Sequence, residues 1–417
     1  MDPRYALRVK IFYGWRIVGA SLGLQFLFAG LFMQAFGAYV AVLSEERGWS
    51  KTTLSGAAAL QSVEGALLGP VMGWLVDRFG ARVLIHIGVV LMGLGFLVLS
   101  QIDSVGGFYG AVVLIAVGTS CAGYFSLTIT VVHWFHRLRA RALSLMGMGL
   151  ALGGLAVPAV GWMMQTYGWR NAAMASGILM LAAGLPLARV IRRHPDEVGE
   201  VVDGGPATAP SDATTADAPH ITLAPQRQFT AREALRTRAF WFLALGHGFA
   251  LLVVTTVSVH AISHMKEGLG YTLAQASLVI MLMTVAQGGG LLLGALVGDR
   301  WEKRYLAAAC MVGHMLGLLM LTYAVHPAML GAFAVLHGVA WGLRGPFMQA
   351  MRADYFGLQA IGMIMGLSAF VIAIGQVLGP MVAGVLADAT GNYRMGFTLL
   401  ALVAGSGSVL FLLAKKP

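Results

Sequence analysis

Charged side chains are scarce in this sequence. Asp, Glu, Lys and Arg make up 11% of its 417 residues, whereas hydrophobic residues make up 58%. Soluble domains carry about 25% charged residues, and a single soluble core does not need so much apolar surface. The composition therefore excludes an ordinary soluble domain and is typical of a protein that crosses the bilayer many times.

Cysteine is nearly absent as well. Cys121 and Cys310 lie far apart and inside apolar runs, so we expect buried free thiols, with neither a disulfide framework nor a cysteine metal site. His260 and His264 have a spacing that can hold zinc, but no third ligand accompanies them. Nucleotide-binding loops and nucleophile–base arrangements are also missing. We therefore expect no metal, no cofactor and no enzymatic activity.

Long apolar runs, by contrast, recur along the whole chain. A transmembrane helix needs about 20 apolar residues. A scan at that length predicts twelve spans, at residues 17–42, 53–76, 83–100, 107–132, 142–164, 171–191, 239–264, 274–297, 306–324, 328–351, 360–384 and 394–413. The predicted fold class is an all-α integral membrane protein with twelve transmembrane helices.

A polar stretch separates the first six predicted spans from the last six. It is rich in Pro, Ala, Asp and Thr, has little to bury and is predicted to be partly disordered. The segment FTAREALRTR (229–238) then predicts a short amphipathic helix on the membrane surface. We expect an N-terminal six-helix bundle at 1–191, a cytoplasmic linker at 192–238 and a C-terminal six-helix bundle at 239–417.

The net charge of +10 reflects the placement of Lys and Arg. Most of them, Arg352 included, fall in the segments on the same side as the N-terminus. The opposite side holds only Arg47, Lys51, Arg170, Lys266 and Arg394. This bias predicts that both termini are cytoplasmic. We interpret the positive charge as a topology signal and expect no nucleic-acid partner. The basic start MDPRYALRVK does not have the pattern of a cleavable signal peptide.

The two halves repeat each other at an offset of about 220 residues. GWLVDRFGAR (73–82) follows the second span, and GALVGDRWEKR (294–304) follows the eighth. Parallel six-helix halves with a substrate site between them at mid-membrane are a known transporter plan. The repeat therefore predicts two pseudo-symmetric bundles that work by alternating access.

The pattern carried by Gly73, Leu75, Asp77, Arg78, Gly80 and Arg82 resembles the loop signature of the major facilitator superfamily. The resemblance implies that the first, fourth, seventh and tenth spans line a central cavity. It also implies a cytoplasmic gate, for which we name Gly73, Asp77, Arg78 and Arg82, with Asp299 and Arg300 in the second copy. Gly73 permits close helix approach, Asp77 can favour the positive end of a neighbouring helix, and the arginines can pair with Asp77. Glu302 replaces Gly80 in the second copy, which predicts a weaker contact there.

A finer resemblance is carried by YGWRIV (13–18), VEGALLGP (63–70), the WF-then-basic segment at 134–141 and HGVAWGLRGP (337–346) followed by DYFG. These motifs are similar to the bacterial branch of the monocarboxylate porter and oxalate/formate antiporter families, which implies transport of small organic anions with a proton or in exchange. It implies a multi-pass protein of the bacterial inner membrane. The arginine that such porters often carry in the eighth span is missing, since Gly290 or Leu291 stands there.

Arg344 is the only Lys or Arg that lies deep in a predicted span. A guanidinium keeps its charge, and hydrocarbon is a costly environment for it. In one interpretation it faces the cavity and binds a carboxylate through its planar fork. In the other it is structural and pairs with Glu64 or with a helix C-terminus.

Four further residues are candidates for the substrate site. Tyr124 is the residue that the repeat places opposite Arg344, and Ser120 shares its helix face. His337 precedes Arg344 by seven residues and shares its face. Gln287 precedes the missing arginine position by about one turn. Each has a plain alternative as an ordinary packed or hydrogen-bonded side chain.

Two residues are candidates for proton coupling. Glu64 lies midway along the second span, where lipid favours the neutral acid, and His260 lies near the outer end of the seventh. We therefore predict a monomeric, proton-coupled transporter of a small organic anion, in particular a monocarboxylate, whose partners are its substrate, protons and the lipid bilayer. The alternatives are an organic anion exchanger, or a drug or metabolite exporter of the same fold in which Arg344 is structural.

Overall fold

The computed structural model describes residues 12–49, 51–204, 227–271 and 273–417, and it contains helices but no strand across these ranges. The helices before the linker are α1 (Tyr13–Phe28), α2 (Phe36–Arg47), α3 (Lys51–Phe79), α4 (Ala81–Leu99), α5 (Val105–Ala122), α6 (Tyr124–Trp134), α7 (Arg139–Gly153), α8 (Val157–Tyr167) and α9 (Trp169–Val190). After them come the short α10 (Ala231–Leu235), then α11 (Arg238–Ser263), α12 (Leu273–Val297), α13 (Lys303–Thr322), α14 (Pro327–Phe356), α15 (Ile361–Thr390) and α16 (Arg394–Leu413).

Three spans of the first half are interrupted helices. A π-helical turn at Ala29–Met33 leads from α1 towards α2, and a 3-10 turn at Gly154–Ala156 joins α7 to α8. Gly123 has extended backbone (φ −80°, ψ −159°) and separates α5 from α6. With each interrupted pair counted as one span, the described ranges hold six spans on each side of α10. The predicted twelve-helix fold is confirmed.

Ten of these spans are long and apolar enough to cross a membrane by length and composition alone. The other two are α3 and α14, helices of 29 and 30 residues that carry Glu64 and Arg344. Both spans that do not meet this criterion thus bear a candidate charged group.

The tenth span is longer than expected. The sequence predicts that it ends near residue 351 and that Arg352 lies in a cytoplasmic segment. In the structure α14 continues to Phe356, and Arg352 is a buried residue inside it. The expectation that Arg344 is the only deeply placed cation was therefore wrong, because a hydropathy scan ends a span where charge appears, even when the helix continues into a protein interior.

Each half has its own core. One cluster of buried apolar side chains draws almost entirely on α1–α9, with large members such as Trp134 and Trp169. The other draws almost entirely on residues after the linker, with Phe333 and Phe347 among its fully buried members. The buried apolar side chains thus form two separate clusters, one for each half.

Small residues line the contacts between the halves, where α3 packs against α15 and α7 against α12. A Cβ added to Gly73 would come within 2.9 Å of the Met363 Cα, and one added to Gly298 would come within 2.9 Å of the Ala140 Cβ. A Cβ added to Gly294 would likewise come within 2.6 Å of the Ser144 Oγ. The backbones of the two halves thus touch directly, as small-residue motifs permit in membranes.

The predicted surface helix over FTAREALRTR is shorter than expected. Thr230 and Glu233 form a capping box that starts α10, and Thr237 then caps the start of α11, so only five residues are helical between them. The central part of the predicted linker, residues 205–226, lies outside the described residues.

We call the end of the bundle where α1 begins and α16 ends the terminal end, and the opposite end the distal end. Gly73→Val should separate the halves at the terminal end, because overpacking costs about 1–3 kcal/mol and so shifts a closed-to-open equilibrium roughly tenfold. A cysteine at Ser144, in a background with Cys121 and Cys310 replaced by alanine, should then react faster with a polar thiol reagent. Gly331→Ala is the control, because nothing lies within 4 Å of the added Cβ. Equal labelling rates in both variants would contradict the prediction.

Candidate functional site

A cavity of about 700 Å³ lies between the two halves. Its wall includes Gly65 of α3, Tyr124 of α6, His247 of α11, Gln349 of α14 and Ile372 of α15. Other lining residues continue along α11 and α15 towards the distal end, including Thr255, Val259 and Pro380. We call this space the central cavity. It combines an apolar wall with a few polar groups, as small-molecule sites do.

Arg344 lies behind the wall of the central cavity. It is 1% exposed, and its Nε and Nη1 atoms have no hydrogen-bond partner among the described residues. Gly338 and Gly342 pack against α12, so the side chain two residues later projects about 200° away from that contact. A guanidinium buried in this way carries a desolvation cost of several kcal/mol unless a partner is supplied.

No described carboxylate pairs with Arg344 within 4 Å. Glu64, the rival structural partner, accepts hydrogen bonds from the Ser120 hydroxyl instead, at 3.1 and 3.3 Å from its two oxygens. The structure therefore brings Glu64 together with Ser120 and leaves Arg344 apart from both.

Arg352 is a second buried guanidinium that the sequence analysis missed. Its Nε donates to the Ser368 hydroxyl at 3.0 Å, and its Nη1 to the Met348 carbonyl at 3.2 Å and the Gln349 side-chain oxygen at 3.3 Å. Its Nη2 lies 3.2 Å from Nδ1 of His247. All of these partners are neutral acceptors. Its spacing of eight residues from Arg344 places both on one helix face, and this periodicity was the available signal.

Tyr124 connects the two arginines to the first half. It is the first residue of α6, it lines the central cavity, and it interacts electrostatically with Arg344 and Arg352. The positive end of α6 thus also lies at the cavity wall. That Tyr124 lies across from Arg344, as the repeat predicts, remains a prediction.

His337 lies elsewhere on α14. Its Nδ1 is 3.2 Å from Nδ1 of His314 on α13, and the two rings meet edge to face with centroids 4.6 Å apart. Gly317 of α13 permits this approach, since a Cβ there would come within 3.3 Å of the His337 Cβ. His337 does not line the central cavity.

Gln287 and His260 contact the cavity helices without meeting Arg344. The backbone of Gln287 on α12 touches Gly342. His260 lies near the distal end, where its Nε2 is 3.0 Å from the Pro380 carbonyl and its ring centroid is 5.1 Å from that of Tyr393, with the two rings tilted by 40°. Pro380 lines the central cavity, so His260 contacts a residue of the distal wall without lining the cavity itself.

Two carboxylates hold the terminal end closed. Asp77 accepts hydrogen bonds from the Gly362 and Met363 amides at 2.9 and 2.8 Å, so it caps the first turn of α15 in the other half. Asp299 accepts from the amides of Ala140 and Arg141 at 2.8 and 3.1 Å, so it caps α7. Both contacts satisfy helix N-terminal donors and place negative charge at the positive helix end. We call these two contacts the latch.

The arginines named for the gate do not make the latch contacts. Arg78 is exposed and lies over the Trp74 ring, 5.2 Å from its centroid, while Arg82 lies 4.0 Å from Glu197 and Arg300 is exposed. The expected pairing of Arg78 and Arg82 with Asp77 is therefore not seen among the described residues.

A buried arginine instead supplies the ion pair between the halves. Arg139 of α7 is 1% exposed and pairs with Asp354 of α14, which also pairs with Lys303 at 3.2 Å. Burial raises the pKa of the nearby Asp299 carboxyl above its usual value, and the two amide hydrogen bonds act in the opposite direction. The closed end thus combines a buried ion pair with the latch.

Both ends of the linker are anchored beside the latch. The Asp203 carboxylate accepts hydrogen bonds from the amides of His136, Arg137 and Leu138 in the α6–α7 loop, at 3.1, 2.8 and 3.4 Å. The Gln228 side-chain oxygen accepts from the amides of Leu358 and Gln359 in the α14–α15 loop, at 2.8 and 3.0 Å. These loops occupy equivalent positions in the two halves.

Comparison with known proteins gives a consistent result. The sequence profile of the Major Facilitator Superfamily matches residues 22–261 and 243–417. Human monocarboxylate transporter 11 is 25% identical over 428 residues, covering 96% of this chain and 82% of that protein. Bovine monocarboxylate transporter 13 is 26% identical over 418 residues, covering 96% and 89%. The crystal structure of the human organic anion transporter MFSD10 (TETRAN) aligns with a TM-score of 0.70 at 16% identity, over 95% of this chain and 99% of that one.

Removal of either latch carboxylate should open the terminal end. Loss of a helix cap costs about 1 kcal/mol, or roughly a fivefold shift in an equilibrium, so Asp77→Asn and Asp299→Asn should each speed labelling of the Ser144 cysteine reporter. Glu302→Gln changes the same loop as Asp299 without a contact to the other half, and its labelling should match that of the reporter alone. If Asp299→Asn behaves like Glu302→Gln, the latch assignment is wrong.

Proposed function

This chain belongs to the Major Facilitator Superfamily, and from that premise we propose that it is a secondary active transporter of a small organic anion that carries a carboxylate. The observation that supports this most is Arg344, a buried guanidinium beside the central cavity with two nitrogens that find no partner among the described residues. The negative charge of a transported anion compensates the positive charge of this guanidinium. The curated relatives are named as monocarboxylate transporters, so monocarboxylates are the first compounds to test.

In the proposed cycle, the halves rock about the central cavity. The latch closes the terminal end while the cavity extends towards the distal end, which is the arrangement of one of the two access states. The anion enters, its carboxylate binds Arg344, and the Tyr124 hydroxyl donates to it. Because a bound anion removes the cost of the buried cation, the occupied protein can pass through a closed state that is unfavourable when the site is empty.

We place both termini in the cytoplasm, because Lys and Arg cluster at the terminal end. The terminal end is then the cytoplasmic side, the distal end is the outer side, and the membrane is the bacterial inner membrane. In this placement the protein receives its anion from outside, or releases it there, when the latch is closed.

Glu64 is the proposed proton carrier. It is the acidic residue farthest from either end of any described span, and its carboxyl group is half-buried beside Gly65, which lines the central cavity. The Ser120 hydroxyl donates to the Glu64 carboxyl group. This hydrogen bond supports the ionised carboxylate, and the protonated carboxyl group can do without it. A carboxyl group in this position can gain or lose a proton when access to it changes sides.

A second candidate function is export of an apolar drug or metabolite. Apolar residues such as Leu251, Ile372 and Val377 contribute much of the cavity wall, which favours a ligand with a hydrophobic body. In that case Arg344 is structural. The two functions differ in their dependence on the carboxylate of the substrate.

Arg344→Gln should lower carboxylate uptake by about tenfold or more, because a hydrogen bond to a charged group contributes about 1.5–3 kcal/mol. Arg344→Lys should retain part of the activity, since it keeps the charge and loses the fork. The measurement is uptake of labelled mono- and dicarboxylates by proteoliposomes. Arg394→Gln, an exposed arginine at the distal end, is the matched control. Normal carboxylate uptake by Arg344→Gln would rule out the site and favour the exporter.

Glu64→Gln should uncouple substrate transport from the proton gradient. Uptake driven by an imposed pH difference should fall to the level seen without a gradient, while exchange of internal for external substrate should persist, because the neutral amide keeps the shape and cannot titrate. Glu46→Gln, exposed at the end of α2, serves as the comparison. Retention of gradient-driven uptake by the Glu64 variant would assign proton coupling to another residue.

A further inference from the structure

Arg352 is the feature that a single-carboxylate site leaves unexplained. It is 2% exposed, and each of its nitrogens donates to a neutral group: the Ser368 hydroxyl, the Met348 carbonyl and Gln349, or a ring nitrogen of His247. No described acidic side chain lies within ion-pair distance of it. Neutral acceptors position a guanidinium and leave its charge uncompensated.

The two buried arginines also repel each other. Arg352 lies in the electrostatic field of Arg344, and Tyr124 lies in the field of both. In a medium of low dielectric, two cations with no anion between them are costly. A single negative charge would compensate only one of them. The arrangement is therefore suited to a ligand with two negative charges.

The hydrogen bond between Arg352 and His247 defines the second contact point. Arg352 can only donate, so Nδ1 of His247 must accept, and the proton of the neutral imidazole is then on Nε2. His247 lines the central cavity. Arg352 thus fixes the tautomer in which Nε2 of His247 is an N–H donor, and it places a full positive charge 3.2 Å from Nδ1 of that ring.

The positions of the anchors restrict the ligand further. Arg344 and Arg352 are eight residues apart on α14, a rise of about 12 Å along the helix axis. Their side chains can converge, but Gly345 to Met351 separate them on the same helix. Because Arg352 contacts His247 from its own end of that separation, two carboxylates on adjacent carbons cannot easily reach both Arg344 and His247, whereas carboxylates separated by a short carbon chain can.

We infer that the central cavity binds a dicarboxylate whose two carboxylates are separated by a short aliphatic spacer. One carboxylate binds the unpartnered nitrogens of Arg344, and the other accepts from the His247 Nε2–H, with Arg352 as the positioning residue behind it. This inference rests on the proposed function and narrows its substrate class. Gln349, which lines the cavity and accepts from Arg352, helps to hold the guanidinium in place.

The test compares ligands of equal length and different charge. Succinate and butyrate both have four carbons, and oxalate has two carboxylates without a spacer. Their affinities for the full-length protein are measured by calorimetry in detergent at neutral pH, and their exchange is measured in proteoliposomes with protein-free liposomes as the blank. We expect succinate to bind about tenfold more tightly than butyrate, and more tightly than oxalate, because the second charged contact is added.

Variants separate positioning from simple structural support. Arg352→Gln should reduce the succinate-to-butyrate affinity ratio to near one, since the variant weakens the contact to the second carboxylate, which butyrate does not have. His247→Phe should have the same effect through the other member of the pair, and it provides the readout if Arg352→Gln does not fold. Arg352→Lys should keep part of the preference, and Arg394→Gln should keep all of it.

The outcomes distinguish the inference from the function on which it rests. A wild-type succinate-to-butyrate ratio near one, or equal weakening of both ligands by Arg352→Gln, would overturn the dicarboxylate inference and leave a carboxylate transporter. If none of the three acids, nor any longer mono- or dicarboxylate, binds or exchanges, the proposed function itself fails. A succinate preference that disappears in both the Arg352 and His247 variants supports the inference.

Discussion

A guanidinium cannot lose its proton inside the bilayer, and much of the centre of this molecule is arranged around that constraint. Arg344 and Arg352 are both buried residues of α14, and neither is among the side chains that line the central cavity. Around Arg352 the protein supplies a hydroxyl, a carbonyl, an amide and an imidazole, and around part of Arg344 it supplies nothing among the described residues. The helices that meet here pack through glycine elsewhere along their length, so the polar groups can converge without opening the bundle.

The latch satisfies backbone amides at the starts of two helices with only two carboxylates. A helix that begins at the membrane surface has unsatisfied amides at its first turn. The two halves satisfy these donors for each other: Asp77 caps α15, and Asp299 caps α7. Because each carboxylate lies in one half and its partner helix in the other, relative motion of the halves breaks both contacts together. Glu302, which stands where the first copy has Gly80, does not prevent the contact between Asp299 and α7. The capping group is the Asp299 carboxylate, and Glu302 lies three residues after it.

Several particular residues mark the limit of sequence reasoning. Arg344 was identifiable because a permanent charge in an apolar run is rare, and Tyr124 because the repeat offset relates it to Arg344. Arg352 was missed because a hydropathy scan ended the tenth span before it. The expected pairing of Arg78 and Arg82 with Asp77 failed for another reason: the carboxylate of Asp77 accepts from the backbone amides of α15, and no pattern of side-chain charges encodes those. His337 shares a helix face with Arg344, yet sequence spacing does not say which neighbour that face meets, and His314 lies opposite it.

The sequence by itself determined the class of protein and the number and pairing of its spans. Apolar length, loop charge and an internal repeat are one-dimensional quantities, and the bilayer translates them almost directly into topology. Only the tertiary structure decided which polar groups meet. Glu64 could have paired with Arg344 or with Ser120, and Arg352 could have been solvated or buried beside His247. Those choices depend on helix rotation and on contacts between residues 56 and 105 positions apart, because an ionisable group within a membrane bundle is held by whichever partners the packing of other helices brings within hydrogen-bond reach.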